Sequence, residues 1–105
     1  MQKEYLKVEL AAISEGEAGQ FLDVLLEKHL VAGGHFFPGE TRHWWEGKID
    51  TAKYWYVNGY TVLKHKEAII REIEAISKND VPGVVFYEIS SANENFLKWI
   101  DEYVL

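Results

Sequence analysis

The sequence predicts an α+β domain whose elements run in the order β-α-β-β-α-β, with one further helix at the end of its 105 residues. Three observations predict this order. Three segments carry apolar residues at helical spacing, four segments have the composition of strands, and two of those strands are separated only by a short turn. The order is the split βαβ plan of ferredoxin-like folds. Residues 1–105 should form one domain, because chains divide only above roughly 250–300 residues.

The first two elements are a strand and a helix. Residues 5–13 alternate and then become apolar, which predicts a strand. Ser14 stands three residues before Glu17 and has the form of a capping box at a helix start. The helix that follows carries one apolar face, made of Ala18, Phe21, Leu22, Leu25, Leu26 and Leu30. We expect it to end at Gly33-Gly34.

The middle of the chain predicts a long β-hairpin. Residues 35–45 and 49–61 are rich in aromatic and β-branched side chains, and Glu46-Gly47-Lys48 supplies turn residues between them. Pro38-Gly39 should bulge or bend the first strand.

The remaining residues predict a helix, a strand and a terminal helix. Residues 64–78 place four isoleucines on one side of a helix, and residues 84–89 form a buried type of strand after Pro82-Gly83. Ser91 precedes Glu94 by three residues and has the form of a second capping box. The terminal helix then turns Phe96, Leu97 and Ile100 inward, with Trp99 and Val104 nearby.

Aromatic residues are unusually dense in the predicted hairpin. The chain has four Trp, six Tyr and five Phe, and eight of these rings fall between Phe36 and Tyr60. A domain of this size buries only about 60–68% of its unfolded surface. A monomer would leave many of these rings exposed, and large exposed apolar patches mark interfaces. The sequence therefore predicts an oligomer.

Charge and composition exclude several classes of protein. The net charge of −6 argues against a nucleic acid as partner. The absence of cysteine excludes a disulfide scaffold, a zinc ribbon and a thiol nucleophile. No apolar run approaches the ~18 residues of a membrane span, and Met1-Gln2-Lys3-Glu4 does not begin a signal peptide. We expect a cytoplasmic protein without a membrane partner.

The sequence offers no catalytic residues. The serines Ser14, Ser77, Ser90 and Ser91 lie at predicted helix borders, where capping explains them. Gly33-Gly34 lacks the pattern of a phosphate-binding loop. We therefore predict a protein that is not an enzyme.

Three blocks of residues resemble the CutA divalent-cation tolerance proteins. They are residues 30–32 (Leu-Val-Ala), 37–39 (Phe-Pro-Gly) and 44–49 (Trp-Trp-Glu-Gly-Lys-Ile). Farther along, Val81-Pro82 and the run 96–100 also match the family pattern, so the similarity spans nearly the whole chain. The resemblance implies a ferredoxin-like protomer in a tight homotrimer whose long hairpins reach neighbouring subunits, and a link to the tolerance of copper and other divalent ions.

The same resemblance locates departures from the family. The family's Cys and Asn before the Pro-Gly pair are Gly33 and His35 here, and the Lys of its Lys-Thr pair is Tyr60. Of the stretch before Val-Pro, only the acidic position remains, as Asp80. The loss of the lysine predicts a site that prefers a neutral or cationic ligand over an anion.

These positions and the predicted hairpin tip define the candidate site. The ligand-binding candidates are His35, Trp45, Glu46, Lys48, Tyr60, Thr61 and Asp80. His35 and His43 are the candidate metal ligands, for copper or zinc, with Glu40 or Glu46 as a carboxylate partner. For each of these residues a structural role is the competing interpretation: solvated histidines, packed tryptophans and turn chemistry at the tip.

Two hypotheses about function follow. In the first, a CutA-like homotrimer without catalysis binds a divalent metal ion or a small ligand between its subunits. In the second, the trimer is a signalling or interaction scaffold that has lost the family's metal site.

Overall fold

The computed structural model describes residues 4–105 and has the predicted order of elements. The elements are β1 (Tyr5–Ala12), α1 (Glu15–Glu27), β2 (Gly34–Trp45), β3 (Lys48–Val62), α2 (Lys66–Ile76), β4 (Val84–Glu88) and α3 (Glu94–Tyr103). A single 3-10 turn, Leu63–His65, precedes α2. The α+β fold class is therefore confirmed. Met1, Gln2 and Lys3, on which the predicted location partly rests, lie outside the described residues.

One antiparallel sheet in the order β2-β3-β1-β4 organises the protein. Along β1 every second residue is buried, beginning at Leu6, and this side packs against α1 and α2. The core between them is apolar and consists of Val8, Leu10, Ala12, Phe21, Leu22, Leu25, Val57, Ile69 and Ile73 with their neighbours. We call this side of the sheet the covered face. None of the helices in residues 4–105 has the length and apolar character needed to cross a bilayer.

The other side of the sheet, which we call the open face, is covered only at one end. There α3 packs Phe96, Trp99 and Ile100 against Tyr60 and Val62. The rest of the open face carries side chains of the hairpin, among them His35, Phe37, Thr41, His43, Tyr54, Tyr56 and Asn58. Five of these seven side chains are aromatic or imidazole rings.

The first helix ends earlier than predicted. It stops at Glu27, and His29 takes a left-handed backbone conformation with φ of 55°. The His29 N–H donates to the Leu26 carbonyl and the Leu30 N–H donates to the Leu25 carbonyl, which is a Schellman motif. The predicted end at Gly33-Gly34 is therefore wrong, because histidine occupies the left-handed position that the glycines were expected to supply. Leu30 is still buried, but it lies beyond the helix.

The hairpin contains no bulge. Its residues pair one to one from Gly34 with Gly59 to Trp45 with Lys48, so Pro38 and Gly39 take part in the regular register. Proline is tolerated here because β2 is an edge strand of the sheet. Of the bulge or bend expected at Pro38-Gly39, the bulge is therefore wrong. Gly39 serves instead for packing, since a Cβ there would lie 2.8 Å from the Tyr56 ring.

The starts of two helices can be compared with the predicted caps. The N-cap of α3 is Asn93, whose carbonyl accepts from the Phe96 and Leu97 N–H groups, so the expected capping box at Ser91 is wrong. The N-cap predicted at Ser14 is confirmed, because the Glu17 N–H donates to Ser14 Oγ at 3.1 Å. The reciprocal bond of a capping box is shifted by one residue, since Glu17 Oε1 accepts from the Ile13 N–H rather than from the Ser14 N–H.

The close pairing at the start of the hairpin predicts a sharp contrast between two glycine substitutions. A Cβ at Gly34 would lie 2.1 Å from the Asn58 carbonyl oxygen, whereas a Cβ at Gly19, inside α1, meets nothing within 4 Å. Gly34→Ala should lower the free energy of unfolding by at least about 1–3 kcal/mol, because backbone must move. Gly19→Ala should raise it by about 0.5–1 kcal/mol.

Urea unfolding of both variants at one fixed protein concentration measures this contrast. Equal stability of Gly34→Ala and the parent protein would contradict the tight pairing of β2 with β3.

Candidate functional site

The hairpin tip is a two-residue turn. Glu46 and Gly47 both have positive φ, 49° and 81°, as a type I′ turn requires. Glu46 and Lys48 are exposed at this tip. The turn places Trp45 opposite Lys48 and, two residues farther along the strand, His43 opposite Asp50. The tip therefore sets which side chains face each other along the whole hairpin.

A cleft of about 580 Å³ lies between the hairpin and the loop that follows α2. Its size is in the range of small-molecule sites, which are roughly 300–1,000 Å³. Hairpin side chains form one wall, and residues 78–81 and Gly83 form the other, with Ala11 and Ile13 between them at the end of β1. The lining includes Thr41, His43, Trp44, Trp45, Asp50, Tyr54, Tyr56, Lys78, Asn79 and Asp80.

The rings of the cleft are held by contacts with one another and with β2. His43 stacks on Tyr54 with the ring centroids 5.6 Å apart and an interplanar angle of 28°. The Tyr56 hydroxyl lies 2.7 Å from Thr41 Oγ1 in a hydrogen bond, and the Tyr56 ring lies across Gly39. These contacts fix the hairpin wall of the cleft before any ligand enters.

The loop wall is held by a buried carboxylate. Glu17 is only 4% exposed, and its Oε1 accepts from the Ile13 N–H at 3.0 Å while its Oε2 accepts from the Lys78 N–H at 2.8 Å. Within the loop, Asn79 Oδ1 accepts from the Val81 N–H at 3.1 Å. Glu17 therefore connects the start of α1, the end of β1 and the loop of the cleft.

The charges at the cleft are unbalanced. Its lining contains two carboxylates, Asp50 and Asp80, and one ammonium group, Lys78. Within residues 4–105, neither aspartate has a salt bridge or a side-chain hydrogen bond. His43 Nδ1 is buried and has no hydrogen-bond partner among the described residues. The cleft therefore offers negative charge and one imidazole nitrogen that can still accept or donate a hydrogen bond.

The structure brings together three of the candidates that the sequence suggested. Trp45 and Asp80 of the ligand-binding set line the cleft, as does His43 of the metal pair. Glu46 and Lys48 lie next to it at the hairpin tip but are not part of its lining.

The other candidates lie elsewhere. His35 shares the open face with His43, since the register is unbroken, but eight residues separate them, or about 26 Å of strand. The two cannot bind one ion within a protomer. Tyr60 packs edge-on against Phe96 with ring centroids 5.0 Å apart. Thr61 is fully buried on the covered face, and its hydroxyl donates to the Leu30 carbonyl at 2.6 Å, which is a structural role.

The donor groups of the cleft do not by themselves form a divalent-ion site. Among residues 4–105, no group of three or more His, Asp or Glu side chains has an arrangement that could hold a metal ion. Zinc and copper sites in proteins use at least three protein ligands as a rule. The described residues of one protomer therefore do not provide a complete metal site.

Several residues of the cleft were not found from the sequence. The hairpin register places Asp50 opposite His43 and puts Tyr54 and Tyr56 on the same face. There Tyr54 contacts His43 and Tyr56 contacts Thr41 diagonally across the strands. The turn residues Glu46-Gly47 contained the information needed to place these side chains, because a two-residue type I′ turn fixes which residues pair along a hairpin. Lys78 and Asn79 could not have been placed, since α2 was predicted to extend through Lys78 and in fact ends at Ile76.

The sheet order, the long hairpin and the three helices define a ferredoxin-like α+β protein. The sequence profile of the CutA1 divalent ion tolerance protein matches residues 7–103. The divalent-cation tolerance protein CutA of Archaeoglobus fulgidus is 33% identical over 95 residues, which are 90% of this chain and 93% of that protein. The chain therefore belongs to the CutA1 divalent ion tolerance family, and the resemblance inferred from residues 30–49 is confirmed.

Solved structures of CutA proteins have the same fold as this chain. A structure of the A. fulgidus protein, described as a periplasmic divalent cation tolerance protein, has a TM-score of 0.93 at 31% identity and covers 96% of this chain and 99% of that chain. CutA1 from Pyrococcus horikoshii has a TM-score of 0.91 at 25% identity and covers 95% and 98%.

The two hydrogen bonds of Glu17 predict a coupling between α1 and the loop of the cleft. Glu17→Ala leaves the Ile13 and Lys78 N–H groups without their acceptor, and each loss costs about 1–3 kcal/mol where the group stays buried. We expect lower stability and faster amide hydrogen exchange at Lys78.

Glu15→Ala, in the same helical turn but exposed, is the matched control and should leave exchange at Lys78 unchanged. Unchanged protection of Lys78 in Glu17→Ala would show that the loop is held by something else.

Proposed function

We propose that this chain forms a homotrimer without catalytic activity that binds a divalent metal ion or a small ligand between its subunits. The cleft beside the open face is the binding site in this proposal, and the tolerance of divalent cations that characterises the family is the context. The observation that carries the proposal is the uncovered aromatic surface of the open face.

Exposed apolar side chains on the open face support the proposed homotrimer. Phe37, Val85 and Tyr87 are each about half exposed on it, at 45%, 46% and 47%. An apolar surface of this kind on one side of a sheet is typical of an interface, because its burial against another copy removes it from water.

Two buried polar atoms support a site that the neighbouring subunit completes. Asn58 is 5% exposed, and its Oδ1 has no hydrogen-bond partner in the described part of the chain; the same is true of His43 Nδ1. Buried polar atoms almost always find a partner, which here a ligand or another copy would supply.

A second candidate function is an interaction scaffold that keeps the trimer without the metal site. The observation that favours it is the lack of any three-residue metal-ligand group within residues 4–105. The cytoplasmic location and the absence of nucleic-acid and membrane partners remain predictions.

The trimer predicts a mass in solution of three times the 12.2 kDa protomer. Light scattering on a size-exclusion column at micromolar concentration measures it. Phe37→Asp should reduce the mass to that of the protomer, because a carboxylate would be buried unpaired in the interface. Leu26→Asp, on an exposed position of α1, should keep the trimer. Circular dichroism confirms folding of both variants, and a folded Phe37→Asp trimer would contradict the role of the open face.

The metal site predicts stoichiometric binding of copper(II) or zinc to protein that has been treated with a chelator. Calorimetry should show that His43→Ala abolishes this binding, because its imidazole is the histidine ligand in the cleft. His65→Ala should retain it, since His65 Nε2 is bonded to the Leu105 carbonyl far from the cleft. His35→Ala reports whether a neighbour's histidine contributes. Weak binding that none of these variants changes would favour the scaffold.

A further inference from the structure

Asn58 is followed by a glycine, which is a chemically unstable pair. Four asparagines occur in the sequence, and only Asn58 precedes a glycine; the others are followed by Asp80, Glu94 and Phe96. The backbone nitrogen of a glycine attacks the preceding asparagine side chain readily, because no Cβ hinders it. Asparagine is for this reason one of the thermolabile residues of proteins. Asn58-Gly59 is therefore the candidate in this chain for spontaneous modification.

The reaction at such a pair is a deamidation in two steps. In the first step the Gly59 nitrogen loses its proton and bonds to Cγ of Asn58, the bond from Cγ to the side-chain nitrogen breaks, and ammonia leaves with that proton. The product is a five-membered cyclic imide. In the second step water opens the imide at either carbonyl and leaves an aspartate, or an isoaspartate whose main chain runs through the side chain. Water is the co-reactant, and nothing is oxidised or reduced.

The sheet holds Asn58 in a conformation that does not react. β3 is an inner strand, so Asn58 pairs with Glu9 of β1 on one side and with His35 of β2 on the other. Ring closure requires rotation about the Cα–C bond of Asn58 out of the extended strand conformation, so that the nitrogen can approach Cγ in line with the attack. The Asn58 carbonyl is also packed closely against Gly34. Rotation there would break the pairing with both neighbouring strands.

The attacking nitrogen is held as well. Successive N–H groups of an inner strand point to alternate neighbours. The Tyr60 N–H donates to the Gly33 carbonyl at 3.1 Å on the side of β2, so the Gly59 N–H points toward β1, where Val8 is its partner in the register. A Cβ at Gly59 would lie 3.2 Å from the Val31 side chain, which shows how closely the core approaches this residue. Deamidation therefore has to pass through an opened state of the sheet.

The product of deamidation does not fit the folded protein. Asn58 is 5% exposed, and within residues 4–105 its side chain has one hydrogen-bond contact, from Nδ2 to His35 Nε2 at 3.5 Å. A carboxylate at this position would be buried with that one contact, and it would lie directly opposite the Glu9 side chain on the same face of the sheet. An isoaspartate adds one atom to the main chain and disturbs the register of β3. Either product opposes refolding.

We propose that Asn58-Gly59 is a deamidation site that the folded sheet protects, and that its reaction converts an opening of β3 into permanent loss of the fold. The frequency with which the centre of the sheet opens then sets the lifetime of the protein. This inference does not depend on a ligand, a metal ion or the number of subunits.

Incubation of the full chain at mildly alkaline pH, with and without concentrated urea, tests the protection. Mass spectrometry of the peptide that contains Asn58 measures the replacement of its amide nitrogen by oxygen, and the peptides that contain Asn79, Asn93 and Asn95 are internal references. In urea, Asn58 should react at least about tenfold faster than the other three. In the folded protein it should react at least about a hundredfold more slowly than in urea, because the sheet must open first.

Two glycine variants change the frequency of opening and leave the pair intact. Gly34→Ala crowds the Asn58 carbonyl and should raise the rate of deamidation in the folded protein at least about fivefold. Gly19→Ala, where a Cβ meets nothing within 4 Å, should not raise it. Both variants should react at the rate of the parent chain in urea. The comparison of the parent chain with and without urea needs neither variant and holds if Gly34→Ala fails to fold.

A second pair of variants tests the consequence of the reaction. Asn58→Asp should abolish folding or lower the urea midpoint, because the carboxylate is buried opposite Glu9. Asn79→Asp should fold like the parent chain, since a carboxylate keeps the acceptor for the Val81 N–H. Three results would each overturn the proposal: equal rates at Asn58 with and without urea, equal rates at Asn58 and Asn79 in urea, or an Asn58→Asp protein with the urea midpoint of the parent chain.

Discussion

The two-residue turn at Glu46-Gly47 is the constraint on which the rest of the structure depends. Both residues have positive φ, and the resulting type I′ geometry fixes an unbroken register along the whole hairpin. A slip of one residue would move every side chain of β2 to the other face of the sheet. The same register brings Gly34 opposite Gly59, where the backbones approach too closely for a side chain, and His43 opposite Asp50. The geometry of the core and that of the cleft therefore have one origin.

The helices cover the two faces of the sheet unequally. Two helices bury the covered face, whereas α3 covers only one end of the open face, where Phe96 and Trp99 pack on Tyr60. The hairpin extends beyond all three helices and accounts for the elongated shape of the protomer, which measures 46 × 26 × 22 Å. Phe36, Trp55 and Tyr60 pack against the helices of the same chain, so only the rings nearer the tip are left for contacts outside the protomer. The density of rings near the tip is explained by a strand pair that extends past its own helices.

Much of the fold could be predicted from the sequence, because hydrophobic periodicity and turn residues are local signals. Ser14 and Glu17 marked the start of α1, and Gly47 marked the tip of the hairpin. The errors arose where a tertiary contact overrode a local rule: His29 took a left-handed conformation expected of glycine, and Pro38 fitted an edge strand without a bulge. The cleft was only partly predictable. The loop at residues 78–83 is held beside it by the hydrogen bond from the Lys78 N–H to the buried Glu17 carboxylate, and local periodicity does not indicate a contact between residues 61 positions apart.

The departures from the family pattern also have a physical explanation in the packing of α3. Gly33 stands at the family's cysteine position, and a Cβ there would lie 2.8 Å from the Trp99 ring. Tyr60 stands at the family's lysine position and lies against the same ring, with centroids 6.4 Å apart. The two replacements are thus parts of one apolar cluster rather than two independent losses. Restoring the thiol would disturb this cluster because it has no space beside Trp99. Restoring the lysine would remove the ring contacts that Tyr60 makes with Phe96 and Trp99. At the other end of the hairpin this cluster makes no contribution, and the polar groups of the cleft include His43, Asp50 and Asp80.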